Sequence, residues 1–287
     1  MSRNPKLGIW LMIAAVAAFA AQDGFSRHLA ESYNTPMIIM LRYWLFAAFV
    51  LVLALRRPEG LRAAIASRRI GVHVLRAVLL VTEISLIVWG YTMIGLIESH
   101  AVFAICPLLI AALSGPLLGE RMIWQRWAAI GAGLIGVLVI LRPGMGVFSP
   151  AALLPLAAAF MFALYSVLTR LMTRDEATFP SFFWPGIIGA VLITGVGLPN
   201  WEPVAPQDWV PLGLYCAMSV FSHWLLLKCY EQIEAARVQP YSYLQIVFVT
   251  IIGIVVYDET LAPMVALGAG IIIAAGLYTL SLERRRA

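Results

Sequence analysis

A chain of 287 residues that is 62% hydrophobic and only 12% charged is not an ordinary soluble domain, because soluble chains carry roughly a quarter charged residues. The net charge of +5 does not point to nucleic acid, since the arginines gather at the ends of apolar runs, where they set membrane orientation. The three cysteines, Cys106, Cys216 and Cys229, lie inside those runs without disulfide or metal-ligand spacing, and read as small hydrophobes.

The apolar runs are about 20 residues long, enough to cross a hydrocarbon core of about 30 Å. In lipid the backbone polar groups need internal partners, so runs of this kind predict helices. Span 1 covers about Leu7 to His28 behind Arg3 and Lys6. Its basic start and Ala18-Phe19-Ala20 imitate a cleavable signal peptide, but its likeness to the run from Ala151 to Arg170 predicts that it is retained. Span 2 runs from Pro36 to Leu55, followed by a basic loop from Arg56 to Arg69. Span 3 is Ile70 to Ile94, span 4 Ala101 to Leu118 and span 5 Ile123 to Leu141. A Pro-Gly turn at Arg142 to Pro150 divides residues 1–145 from 146–287. Span 6 is Ala151 to Met172, span 7 Pro180 to Leu198, span 8 Val210 to Tyr230, span 9 Val238 to Tyr257 and span 10 Leu261 to Leu282.

With the amino terminus inside, all of the 20 Lys and Arg except Arg27, Arg42 and Arg142 fall in cytoplasmic segments or at cytoplasmic span ends. That asymmetry supports the orientation, with both termini cytoplasmic. The stretch Tyr91 to Glu120 returns as Tyr230 to Glu259, with Ile94 falling on Ile233 and acid on acid. An odd number of spans per repeat puts the second half upside down relative to the first. The expected fold is therefore an all-α membrane protein of ten transmembrane helices in two inverted five-helix repeats, an architecture of secondary transporters. Spans 5 and 10 carry small residues four apart (Ala128, Ala132, Gly136; Ala266, Gly270, Ala274). Such stripes predict close helix packing, within one chain or across a homodimer.

Two five-span halves, each closing with an apolar helix, an acid (Gly119-Glu120, Asp258-Glu259) and a small-residue helix, resemble the EamA type of the drug/metabolite transporter (DMT) superfamily. Arg42 followed by Ala47 and Ala48 is similar to that family's second helix, although Gly186 stands opposite Arg42 in the second half. The length and the aromatic-rich interior look most like its YddG group of amino-acid exporters. The resemblance implies a central cavity, alternating access and export of amino acids or similar small metabolites across the bacterial inner membrane.

Ionisable residues inside spans are costly and mark function or an ion pair. Glu83 stands about 13 residues into span 3, near the midplane at about 1.5 Å per residue. His73, Arg76, Glu83 and Tyr91 share one helical face. The repeat sets Ser222 opposite Glu83, beside His223, so these three are expected around the substrate, with a proton carried by Glu83 or His223. The structural alternative for Glu83 is a pair with Arg76 or with a backbone group. Asp23 and Arg42 lie at matching depth and are expected either to lock two helices as an ion pair or to share a substrate charge, with Gln22 facing substrate. Pro107 and Pro116 interrupt span 4 and Pro240 opens span 9, and broken helices are tolerated beside a cavity. Phe103 on span 4 and Tyr241 and Gln245 on span 9 would wall that cavity, with Tyr165 and Trp224 as further candidates. Each aromatic also has a plain packing role open to it, and Trp10, Trp44, Trp201 and Trp209 read as interfacial belt residues.

No H-E-x-x-H, P-loop or G-x-S-x-G occurs, so no cofactor, metal or nucleotide-driven mechanism is expected. The alternatives are a transporter of drugs, organic cations or nucleotide-sugars, or a membrane-embedded enzyme or sensor.

Overall fold

The structure, a computed structural model, describes residues 4–119, 124–141, 149–175, 178–232 and 239–284. Helix α1 is Pro5–Ser32, α2 Thr35–Leu55, α3 a single turn at Leu61–Ala64, and α4 Ile70–Ile94. The fourth apolar run is split into α5, Leu96–Phe103, and α6, Cys106–Leu118; α7 is Trp124–Leu141. Next come α8 Leu153–Asp175, α9 Thr178–Gly197, α10 Trp209–Gln232, α11 Leu244–Tyr257 and α12 Pro263–Arg284. Among the described residues there is no strand. Among the described residues seven helices are long and apolar enough to cross a membrane, and three shorter apolar ones cover Trp127–Leu141, Tyr241–Tyr257 and Pro263–Thr279.

Local sequence explains the boundaries. The side chains of Asn4 and Asn34 accept from Leu7 N and Met37 N, capping α1 and α2, and Pro5 and Pro36 need no amide partner in a first turn. Helix α6 ends on Gly119 and α11 on Asp258, both in the left-handed region at φ 68° and 52°. The two copies of the repeated stretch thus stop in the same way, although Glu120 lies outside the described residues. Span 4 begins at Leu96 rather than at Ala101, because Gly95 at φ 90° turns the chain directly into α5. The interruption falls at Ala104–Ile105, just before Pro107, and Pro116 is accommodated in the last turn of α6.

Helices pair across the two halves: α1 with α10, α2 with α9, α4 with α8, α5 with α11 and α7 with α12. Helices α1 and α2 touch each other sparsely, because α10 packs against both. The α7–α12 contact is made within one chain. A Cβ on Gly136 would stand 2.8 Å from the Gly268 carbonyl, and one on Gly268 would stand 2.6 Å from the Gly136 carbonyl. The expected stripe on α12 is displaced: Ala266, Gly270 and Ala274 face outward, and Gly268, Val265, Ala269 and Ile272 make the seam. Two residues along a helix is about 200° of rotation, so Gly268 and Gly270 lie on opposite faces.

Candidate functional site

Charged and hydroxyl side chains from α1, α2, α4, α5, α10 and α11 collect inside the bundle. Arg42 and Tyr43 come from α2, Glu83 and Tyr91 from α4, and Tyr215 and Ser219 from α10; all are buried. Arg42 Nε donates to Ser219 Oγ at 2.7 Å, and its guanidinium carbon stands 5.8 Å from the centre of the Tyr215 ring. Together with Tyr43, Phe46, Leu80, Ile84, Ser219 and His223, Arg42 lines a crevice of about 20 Å³. That is room for about one water, so the site is nearly closed.

Glu83 is 6% exposed, and among the described residues it makes no hydrogen bond or ion pair, although it feels the charges of Arg42 and Asp23. The alternative pair with Arg76 does not form. Arg76 donates instead to Thr169 Oγ1 at 3.1 Å and to the Ser181 carbonyl at 2.9 Å, and lies 3.0 Å from His73 Nδ1. Its guanidinium also stands 5.0 Å from the Tyr165 ring, which assigns Tyr165 to this separate polar layer. Further buried polar atoms without a hydrogen-bond partner among the described residues include Gln22 Oε1, Ser26 Oγ, Tyr43 OH and Tyr215 OH. Buried polar atoms are nearly always partnered, so such a group marks a place where water or solute is expected.

The anticipated Asp23–Arg42 ion pair is not formed. Asp23 Oδ2 lies 3.1 Å from His100 Nε2 and accepts from Gln245 Nε2 at 3.1 Å, while Arg42 turns to Ser219. The cause is topological, because α10 packs between the helices that carry the two charges. Ser222 is fully buried and donates to the Ser219 carbonyl of its own helix, so Ser219, not Ser222, meets Arg42. His223 does line the crevice; its Nδ1 is 2.7 Å from the Ser219 carbonyl, and its ring packs edgewise on Phe19 and Phe46. Phe103 lies between His100 and Phe162. Tyr241 packs with Met12, Val16 and Cys229 towards the amino-terminal end of α1, apart from the crevice. Trp224 is exposed and stacks on Phe221, because five residues from Ser219 turn it by about 140° away from the buried face.

Sequence reading passed over His100, Tyr43, Tyr215 and Ser219. The last two had a signal: Tyr215, Ser219, Ser222 and His223 follow helical spacing on one face of span 8. His100 had none, because it falls in a stretch read as the turn before span 4.

A second polar group closes the end of the bundle where α1 finishes. Glu259 accepts from Leu96 N at 2.7 Å and Ile97 N at 2.8 Å, and forms an ion pair with Arg27. Arg27 also lies 4.1 Å from the Tyr257 ring, and Tyr257 OH donates to the Gly24 carbonyl at 2.6 Å. Tyr33 OH donates to Asp208 at 2.7 Å and accepts from Ala205 N at 2.9 Å, stitching the 198–208 connection over the α1–α2 turn. A roomier cleft of about 100 Å³ is lined by Ile94, Glu98, Leu141 and Ser149 among others.

The EamA-like transporter family model matches residues 6–142 and again 149–281. A riboflavin transporter from Vibrio cholerae is 25% identical over 288 residues, covering 100% of this chain and 97% of the relative. An S-adenosylmethionine uptake transporter from Rickettsia prowazekii is 25% identical over 276 residues, covering 96% and 92%. A riboflavin transporter from Brucella anthropi is 27% identical over 275 residues, covering 93% and 96%. One crystal structure superposes with a TM-score of 0.64 over 98% of each chain at 17% identity, a likeness of fold alone.

Proposed function

Because the chain belongs to the EamA-like transporter family and is a multi-pass membrane transporter rather than an enzyme, we propose that it moves a small metabolite bearing an amino-acid group across the bacterial inner membrane. Arg42 and Ser219 hold the carboxylate, and Glu83 receives the cationic pole. The observation that carries this reading is Arg42 lining the crevice with Ser219 as its hydrogen-bond acceptor, while the Glu83 carboxyl, within electrostatic reach of Arg42, has no hydrogen bond among the described residues. A buried charge without a partner costs several kcal/mol, and a zwitterion relieves both at once. Tyr43, Tyr215 and Gln22 supply further unpartnered polar atoms for such a solute.

S-adenosylmethionine and free amino acids share this group, which joins the amino-acid expectation to the named relatives. Relatives named for a direction are uptake transporters, which favours import over the export implied by the YddG resemblance. The fold proposed is ten spans in two inverted halves, 1–145 and 146–287, with both termini cytoplasmic. Support comes from the seven long and three shorter apolar helices, from the family model matching twice and from a pairing of helices that exchanges the two halves. Such halves move substrate by rocking about a central site.

The riboflavin-named relatives favour a second solute, stacked on Tyr43 and Phe46. Counterflow in proteoliposomes decides between the two. Exchange of S-adenosylmethionine, competed by amino acids and lost in R42Q, is the expected result. Exchange of riboflavin that neither S-adenosylmethionine nor amino acids compete would overturn the zwitterion site.

A further inference from the structure

We infer that Asp23 and His100 form the binding site for a coupling proton, and that its occupancy controls the seam between α1 and α5. The inference rests on the transport reading above but not on the identity of the solute.

Two rungs join these helices. Asp23 and Arg27 are four residues apart on α1, and Leu96 and His100 are four apart on α5, so each pair occupies one face one turn apart. At the outer rung Glu259 bridges Arg27 to the free amides of Leu96 and Ile97. At the inner rung His100 Nε2 lies 3.1 Å from Asp23 Oδ2 and 3.0 Å from Tyr91 OH.

The second distance makes the inner rung sensitive to a proton. A hydrogen on Nε2 donates to the Asp23 carboxylate, and a second proton taken up at Nδ1 makes the contact an imidazolium–carboxylate ion pair. A bare Nε2 instead accepts from Tyr91 OH, on α4, and leaves α1. The groups facing the pair from its neighbours are Gln245 on α11, which donates to Asp23, and the charges of Glu83 on α4 and Arg42 on α2. The step is proton transfer alone: an N–H bond forms as a hydronium O–H bond breaks on one side, and the N–H bond breaks as a hydronium O–H bond forms on the other. Imidazole is the side chain best suited to that exchange near neutral pH. His223 is less suited, since its Nδ1 is held by the Ser219 carbonyl and its ring lies against two phenyl rings. Loading His100 draws α5 onto α1 and closes the outer seam, so proton and solute travel inward together.

The test uses the purified full chain in vesicles with a pH-sensitive dye inside and S-adenosylmethionine outside. Wild-type protein is expected to acidify the lumen as solute enters. Accumulation should rise by up to about tenfold per unit of pH gradient, the limit for one proton per solute. H100Q is expected to lose both effects while keeping counterflow in the same vesicles; failure of counterflow in wild-type protein would count against the solute reading instead. Counterflow in wild-type protein without any proton movement would overturn the proton site. So would proton movement unchanged in H100Q, or loss of counterflow in both H100Q and D23N.

Discussion

Arg27 and Glu259 meet as an ion pair over the first turn of α5, joining the first helix to the turn between the last two. Glu259 also serves as the amino-terminal cap of α5, a place where a carboxylate meets both free amides and the positive end of the helix. Removing its charge weakens two contacts at once. We expect E259Q to loosen the closure at this end of the bundle by about 1.5–3 kcal/mol, the usual worth of hydrogen bonds to charged groups. In a background with the native cysteines replaced, a cysteine at Ser26, which is 1% exposed, should then react faster with an impermeant thiol reagent. The expected gain is about tenfold to a hundredfold. An unchanged rate would show that Glu259 does not guard the interior.

Gly95 adopts φ 90°, and a Cβ there would lie 2.8 Å from Glu259 Oε1. G95A therefore carries backbone strain and displaces the cap. A loss of about 1–3 kcal/mol is expected, read as a lower Tm in detergent. Because E259Q removes part of the same contact, the double variant should lose less than the sum of the two singles.

Arg42 and Ser219 separate binding from scaffolding. R42K keeps the charge but loses the planar fork that matches a carboxylate. S219A removes the hydrogen bond that orients Arg42. Each should raise KM for S-adenosylmethionine or an amino acid by about tenfold or more, the effect of about 1.5–3 kcal/mol in one charge-assisted bond. W224A, on the exposed face with Phe221, should leave KM where it was.

Gly268 and Gly270 make a paired test of the α7–α12 seam. A Cβ at Gly268 would strike the Gly136 carbonyl at 2.6 Å, whereas one at Gly270 meets nothing within 4 Å. G268A should cost about 1–3 kcal/mol by overpacking, and G270A should leave Tm unchanged or slightly higher through its better helix propensity. Equal effects of the two would refute the seam.

The membrane class, the extents of most spans and the recurrence of one pattern in two halves could be read without coordinates. A bilayer demands about 20 apolar residues and internally satisfied backbone, and both demands are visible in composition and spacing. Asp23, Arg42, Glu83 and His223 stood out for the same reason, since charge inside an apolar run is seldom idle. Their partners were not legible. Asp23 meets His100 and Gln245 rather than Arg42 because α10 packs between α1 and α2. Ser219 rather than Ser222 faces Arg42 because of how α10 is rotated. His100 belongs to the interior because Gly95 and Glu259, distant in sequence, start a helix where a turn was expected. Depth in the membrane follows from position along one helix and is written locally. Which charges meet depends on the rotation and neighbours of several helices together, and only the packed bundle decides it.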